Sequence, residues 1–264
     1  MNIWDAVLIQ PLLNGILLFY KLTGNLGIAI IVFTVFIRLI LAPLTIPGMK
    51  QAQKMKEVAP NLEKLKLKYK GDKQGLAKAQ MELYRQNNIN PAAGCLPQIL
   101  QLIILFALFQ VFIRVLSGSV EIAKINELLY PALRLPSDHL LTTKFLYLDL
   151  AKPDTIPLSG IPFGLPGLFL LASAAAQYVS FKMTMPAVKK EEKVAKKTVT
   201  ATDDFMVSMQ QSMLWMFPLM TIFAGFAFPS GLVLYWFVYS AFQVGQQYIF
   251  NKSQNKAKEY RNEN

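Results

Sequence analysis

Arg38 interrupts an apolar run at residues 28–47 (IAIIVFTVFIRLILAPLTIP), about ten residues from either end. At ~1.5 Å of rise per residue, a helix over this run carries the charge roughly 15 Å into a hydrocarbon layer about 30 Å thick. A guanidinium at that depth costs about 2.5–3.5 kcal/mol on insertion scales, so an intramembrane arginine implies a function and calls for a partner. The five long apolar runs contain no Asp, Glu or His to serve as one. They offer neutral polar residues in stripes. Thr34, Arg38 and Thr45 share a helical face, as do Ser173, Gln177 and Ser180. Trp236, Ser240, Gln243 and Gln247 form a third stripe with Tyr239 beside it. Facing stripes of this kind enclose a wet groove, in which Arg38 costs less. Taken singly, each Ser or Gln also reads as a hydrogen bond between helices, worth about 0.6 kcal/mol.

The same inventory excludes several chemistries. Proton-coupled transport and intramembrane hydrolysis need acids, bases or metals inside the membrane, and these runs hold none. One cysteine, Cys95, rules out an intrachain disulfide, and with the single His139 it cannot build an ordinary zinc site. No metal, cofactor or enzymatic activity is expected. Met206, Met209, Met213, Met216 and Met220 recur at intervals of three and four. Such a stripe packs a core, or presents an adaptable surface along which varied apolar segments slide, with Met209, Met213 and Met216 as its candidates.

The elements that must position these residues follow from the apolar runs. Residues 28–47, 96–116, 163–183, 212–228 and 230–250 read as five transmembrane helices, the second launched from Pro91. The last two are joined so tightly, through Phe228-Pro229-Ser230-Gly231, that they form a helical hairpin. Segments 48–90, 182–204 and 251–264 carry 10, 6 and 4 of the 27 Lys and Arg residues, and with five spans they fall on one side. That side is the cytoplasm, which puts the N-terminus outside. The net charge of +11 then reads as a basic cytoplasmic face near anionic headgroups or ribosomal RNA.

Residues 1–27 make a poor signal peptide and read as an amphipathic helix at the outer interface, anchored by Trp4, Tyr20 and Lys21. Residues 48–90 predict a cytoplasmic helical hairpin turning at 71–73, with Pro60 kinking or restarting its first arm. Residues 117–162 form an outer segment with a short amphipathic piece at 120–133. Residues 184–211 are a charged cytoplasmic loop, and 251–264 a basic tail. The fold class is all-α, a polytopic membrane protein.

Three stretches carry a family resemblance: FTVFIRLILAPLT around Arg38, NPAAGCLPQILQLIILFALFQVF opening the second span, and MFPLMTIFAGFAFPSGLVLYWFVYSAFQVGQQ over the last two. In this order the chain resembles, over nearly its whole length, the YidC insertases of bacteria, relatives of the mitochondrial oxidase-assembly and thylakoid Albino insertases. The resemblance implies a five-span core around a hydrophilic groove open to the cytoplasm and to lipid. Arg38 lies in that groove, and Thr34, Ser173, Gln177, Trp236, Tyr239, Ser240 and Gln243 are its candidate lining. It further implies that a substrate's hydrophilic tail enters the groove while its hydrophobic segment slides past the third and fifth spans into lipid. The large outer domain seen in many relatives is not expected, nor is a lipid-modified N-terminal cysteine.

The resulting reading is a membrane protein insertase and chaperone of the bacterial plasma membrane. Its partners are nascent membrane proteins, the bilayer and the ribosome, the last through Lys252, Lys256, Lys258 and Arg261. The Sec translocon is a further candidate, and no small-molecule substrate is expected. The alternative is a channel or anion transporter that uses Arg38 as a selectivity charge.

Overall fold

The computed structural model describes residues 2–116, 122–136, 141–158, 160–184 and 201–263. They are mostly helical. A π-helical turn, Asp5–Ile9, leads into α1, Gln10–Thr23, and α2 spans Leu26–Lys68. α3 follows at Lys73–Gln86, α4 at Pro91–Leu116 and the short α5 at Ile122–Asn126. α6 is Leu168–Thr184, α7 Ala201–Gly225 and α8 Ser230–Glu263. Among the described residues, three helical stretches are long and apolar enough to cross a membrane: Asp5–Thr23, Leu26–Lys68 and Ile99–Leu116. Leu168–Met183 and Leu214–Gly225 are apolar but shorter.

The chain divides into two compact units. The first comprises Met1–Ile40, Ile99–Ala176 and Leu219–Gln243. Its core joins Ile9, Leu13, Ile16 and Leu17 of the N-terminal helix to Ile30 and Phe33 of α2, Val111 and Phe112 of α4, and Leu232 and Leu234 of α8. α1 buries one face at Leu12, Leu13, Ile16, Leu17 and Tyr20, as a 3.6-residue period dictates. Its other face exposes Leu18 and Leu22, so both faces are apolar. Gly24 ends α1 in the left-handed conformation (φ 68°), and its N–H donates to the Tyr20 carbonyl at 2.8 Å. A side chain there would be strained, which is why a glycine closes this helix.

Residues 144–166 contain strands that the all-α reading lacked. β1 (Lys144–Phe145) pairs antiparallel with β2 (Leu148–Asp149), and β3 (Thr155–Leu158) with β4 (Ile161–Pro166). β4 takes up the first residues of the expected third span, so α6 begins only at Leu168. Pro162, Gly164 and Pro166 explain this, since neither proline can donate a backbone bond and Gly164 sits at φ 67°. Asp154, 2% exposed, starts the helix by accepting from the Leu170 N–H at 2.8 Å and the Tyr147 hydroxyl at 3.0 Å.

Backbone ties hold this segment to the core. The Ser230 N–H donates to the Lys152 carbonyl at 2.7 Å and the Gly231 N–H to the Leu150 carbonyl at 3.1 Å. Buried Asn14 donates to the Leu128 carbonyl at 2.9 Å and accepts from the Tyr130 N–H at 2.7 Å. At Gly225, a Cβ would stand 2.3 Å from Leu170 Cδ1, so the end of α7 approaches α6 at a distance only glycine allows.

The second unit comprises Leu41–Gln98, Gln177–Pro218 and Val244–Asn264. α2 continues through Pro43, Pro47 and Pro60 without a break, so the first span and the first arm of the 48–90 hairpin are one helix. All three prolines lie on exposed positions, where the crowded carbonyls of the preceding turn can face outward. Gly71, at φ 92°, and Asp72, whose carboxylate accepts from the Gly75 N–H at 2.8 Å, form the turn into α3. Val58, Tyr84 and Ile89 bury the contact between the two arms.

Candidate functional site

α2, α4 and α8 converge on Arg38 within the first unit. The side chain is buried, with 9% of its surface exposed. Its guanidinium carbon lies 3.5 Å from the centroid of the Tyr239 ring, a cation–π contact worth up to about 2 kcal/mol when water is excluded. One guanidinium nitrogen donates to Gln101 Oε1 at 3.5 Å, the outer limit of a hydrogen bond. Gln101 in turn donates from Nε2 to the Tyr235 hydroxyl at 2.9 Å. The Tyr235 and Tyr239 rings lie 6.1 Å apart, so two aromatic rings and one amide frame the charge.

Guanidinium carries five donors in a planar fork. Here a single long hydrogen bond occupies that fork, and among the described residues no carboxylate pairs with it. Arg114 near the end of α4 differs. Arg114 pairs with Asp5 at 2.9 Å, because the N-terminal helix brings that carboxylate against α4. Arg114 is neutralised, whereas Arg38 has no carboxylate partner among the described residues.

The polar stripes separate into different uses. Thr34 is buried, and its hydroxyl donates to the Ile30 carbonyl of its own helix at 2.6 Å. Ser173 is fully buried and donates to the Val233 carbonyl of α8 at 3.2 Å. Both act as helix-to-backbone bonds. The Ser240 hydroxyl is buried without a hydrogen-bond partner among the described residues. Trp236 packs edge-on against Phe228, with centroids 6.3 Å apart, and Gln243 is half-buried. Tyr239, not Trp236, provides the ring against Arg38. Gln177 and Thr45 belong to the second unit, where Gln177 is half-buried and Thr45 accepts from Gln246 Nε2 at 2.9 Å.

Gln101 and Tyr235 were not singled out from sequence. The available signal for Gln101 was an amide in a long apolar run, one of three there with Gln98 and Gln110. Tyr235 sits one position outside the Trp236–Ser240 stripe and gave none. On α7, Met216 is exposed beside Trp215, Leu219, Met220 and Phe223, whereas the side chains of Met209 and Met213 lie outside the described residues. Lys252 and Lys256 are exposed on α8; the side chains of Lys258 and Arg261 also lie outside. Among the described residues, no group of three His, Cys, Asp or Glu side chains is placed to hold a metal.

Fold and site together define a helical membrane protein with a buried cation that has no carboxylate partner among the described residues. Residues 18–258 match the family of the 60Kd inner membrane protein. The chain is similar to the membrane protein insertase YidC of Fusobacterium nucleatum subsp. nucleatum, with 36% identity over 232 residues, 88% of this chain and 89% of that one. It is 34% identical over 254 residues to YidC of Pelobacter propionicus, covering 96% of this chain and 40% of that protein. YidC of Geobacter sulfurreducens is 32% identical over 250 residues, covering 95% of this chain and 38% of that protein. The chain therefore spans about two fifths of these last two relatives. A crystal structure of an active YidC insertase with its first transmembrane domain resolved superposes with a TM-score of 0.56 at 26% identity, over 94% of this chain and 47% of that one. The protein belongs to the YidC family of inner-membrane proteins.

Proposed function

We propose that the protein is a membrane protein insertase and chaperone in which Arg38 receives the hydrophilic tail of an incoming membrane protein. The observation that carries this reading is the state of Arg38: buried, framed by Tyr239 and Gln101, and without a carboxylate partner among the described residues. A charge held this way stabilises an acidic or polar group that arrives from outside the fold. Burial of the substrate's own apolar helix in lipid supplies the free energy, so no nucleotide is needed.

The groove proposed around Arg38 is lined from α8 by Tyr239, Ser240, Trp236 and Gln243, while Thr34 and Ser173 hold the helices behind it through their bonds to backbone carbonyls. The exposed apolar face of α7 around Met216 is the surface along which hydrophobic segments slide. With the N-terminus outside, the α2–α3 hairpin and the tail at Lys252 and Lys256 face the cytoplasm and the ribosome.

Reconstitution in liposomes tests this directly. Wild-type protein should integrate a small single-span protein with an acidic tail, and Arg38→Ala should lose most of that activity. Saturable flux of small anions through the wild type, with no integration, would support a channel instead.

A further inference from the structure

In the second unit, α2 and α8 enclose a cleft of about 310 Å³ lined by Met49, Ala52, Gln53, Lys56, Glu57, Gln247, Asn251 and Asn255. Both of its walls are braced. Gln246 of α8 donates to Thr45 of α2 at 2.9 Å, and Lys56 Nζ donates to the Met183 carbonyl at the end of α6 at 2.5 Å. Gln247 Nε2 donates to Asn251 Oδ1 at 2.9 Å, which orders the amides along the α8 wall. Partial burial holds the Lys56 ammonium below its usual pKa, so this lysine belongs to the cleft wall and is no freely hydrated surface charge.

The chemistry of the lining selects its guest. Lys56 and Glu57 cancel in formal charge, which disfavours a phosphate or another anion as the preferred occupant. Beside apolar Met49 and Ala52, the rest of the lining is four carboxamides, Gln53, Gln247, Asn251 and Asn255, each presenting both a donor and an acceptor. A peptide main chain alternates N–H and C=O and matches such amides whatever its side chains. The volume lies at the lower edge of the ~300–1,000 Å³ typical of ligand sites, room for a short extended stretch and not for a folded element.

We infer that this amide-lined cleft is a main-chain binding site that holds an extended hydrophilic segment of the substrate independently of its charge. The inference rests on the insertase reading and adds a second station to it. Arg38 discriminates by charge, and the cleft does not.

The test uses the full-length protein in liposomes and a ribosome-stalled single-span substrate with either a neutral Ser/Asn/Gly tail or an acidic one. A photo-crosslinking residue replaces Asn255 at the cleft rim, or Ile249, which is 69% exposed on α8 outside the cleft lining. Position 255 should crosslink both tails equally and keep doing so with Arg38→Ala; position 249 should not crosslink either tail. Gln247→Leu combined with Asn251→Leu should lower insertion of the neutral-tailed substrate about fivefold or more, as expected for one or two lost hydrogen bonds. If position 255 captures only lipid, or nothing, in a protein that still inserts both substrates, the cleft inference is overturned and the Arg38 reading stands. If wild-type protein inserts neither substrate, the insertase reading fails and takes the cleft with it.

Discussion

Arg38 and Tyr239 are in face contact, with the guanidinium carbon 3.5 Å above the ring centroid. This one relationship explains how a cation is retained inside an apolar helix cluster without being neutralised. A ring face attracts the charge but leaves the N–H edge of the guanidinium available. A carboxylate in the same place would have consumed it.

Substitution of Tyr239 separates ring from hydroxyl. Tyr239→Phe keeps the π face and should insert substrates at near wild-type rates. Tyr239→Leu loses a contact worth about 1–2 kcal/mol and should lower both thermal stability in detergent and insertion of acidic-tailed substrates. Thermal unfolding read alongside an insertion assay checks both effects.

At Arg38 itself, charge should matter more than fork geometry. Arg38→Lys keeps the cation and should retain substantial insertion, and Arg38→Glu should impair acidic tails most severely. Equal loss in the two variants, measured on one acidic-tailed substrate, argues against an electrostatic receptor.

How far the sequence reaches is instructive here. The depth and isolation of Arg38 are legible from a single apolar run, because rise per residue and bilayer thickness are fixed quantities. Its neighbours are less so. Gln101 lies 63 positions away on another helix, and with Gln98 and Gln110 in the same apolar stretch it carries no mark that tells a site residue from an interhelical bond. The continuity of α2 through three prolines was also hidden, since local propensity argues for a break where the helix runs on. The two β-hairpins were missed because their strands are only two to six residues long, too short to show a period.

Asp154 anchors the start of α6, accepting from a helix N–H and from the Tyr147 hydroxyl. Asp154→Ala leaves the buried Leu170 N–H without its acceptor and should cost about 1–3 kcal/mol, seen as a lower unfolding temperature. Asp154→Asn, which keeps one acceptor, should fall between.

Asp149 gives the outer hairpin a pH dependence. Burial acts to raise its pKa, but the Thr143 hydroxyl, the Ala151 N–H and the charges of Lys144 and Lys152 outweigh it and hold the carboxyl below its ordinary value. A depressed acid contributes stability above its unfolded pKa and loses it as pH falls through the folded one. Amide exchange at Leu150, whose N–H donates to the Thr143 carbonyl at 2.9 Å, should therefore stay slow near neutrality. Protection should drop only below the usual carboxylate range, and Asp149→Asn should abolish that pH dependence.

The proposed receptor role of Arg38 rests on its having no carboxylate partner among the described residues, and Gln101→Glu supplies one at a position 3.5 Å from the guanidinium. The decisive measurement is insertion of matched acidic-tailed and neutral-tailed substrates into liposomes by wild type and Gln101→Glu. The expected result is a folded protein of equal or greater thermal stability that loses insertion of the acidic tail, down to the Arg38→Ala level, and retains the neutral one. Undiminished insertion of the acidic tail by a folded Gln101→Glu protein would contradict the claim.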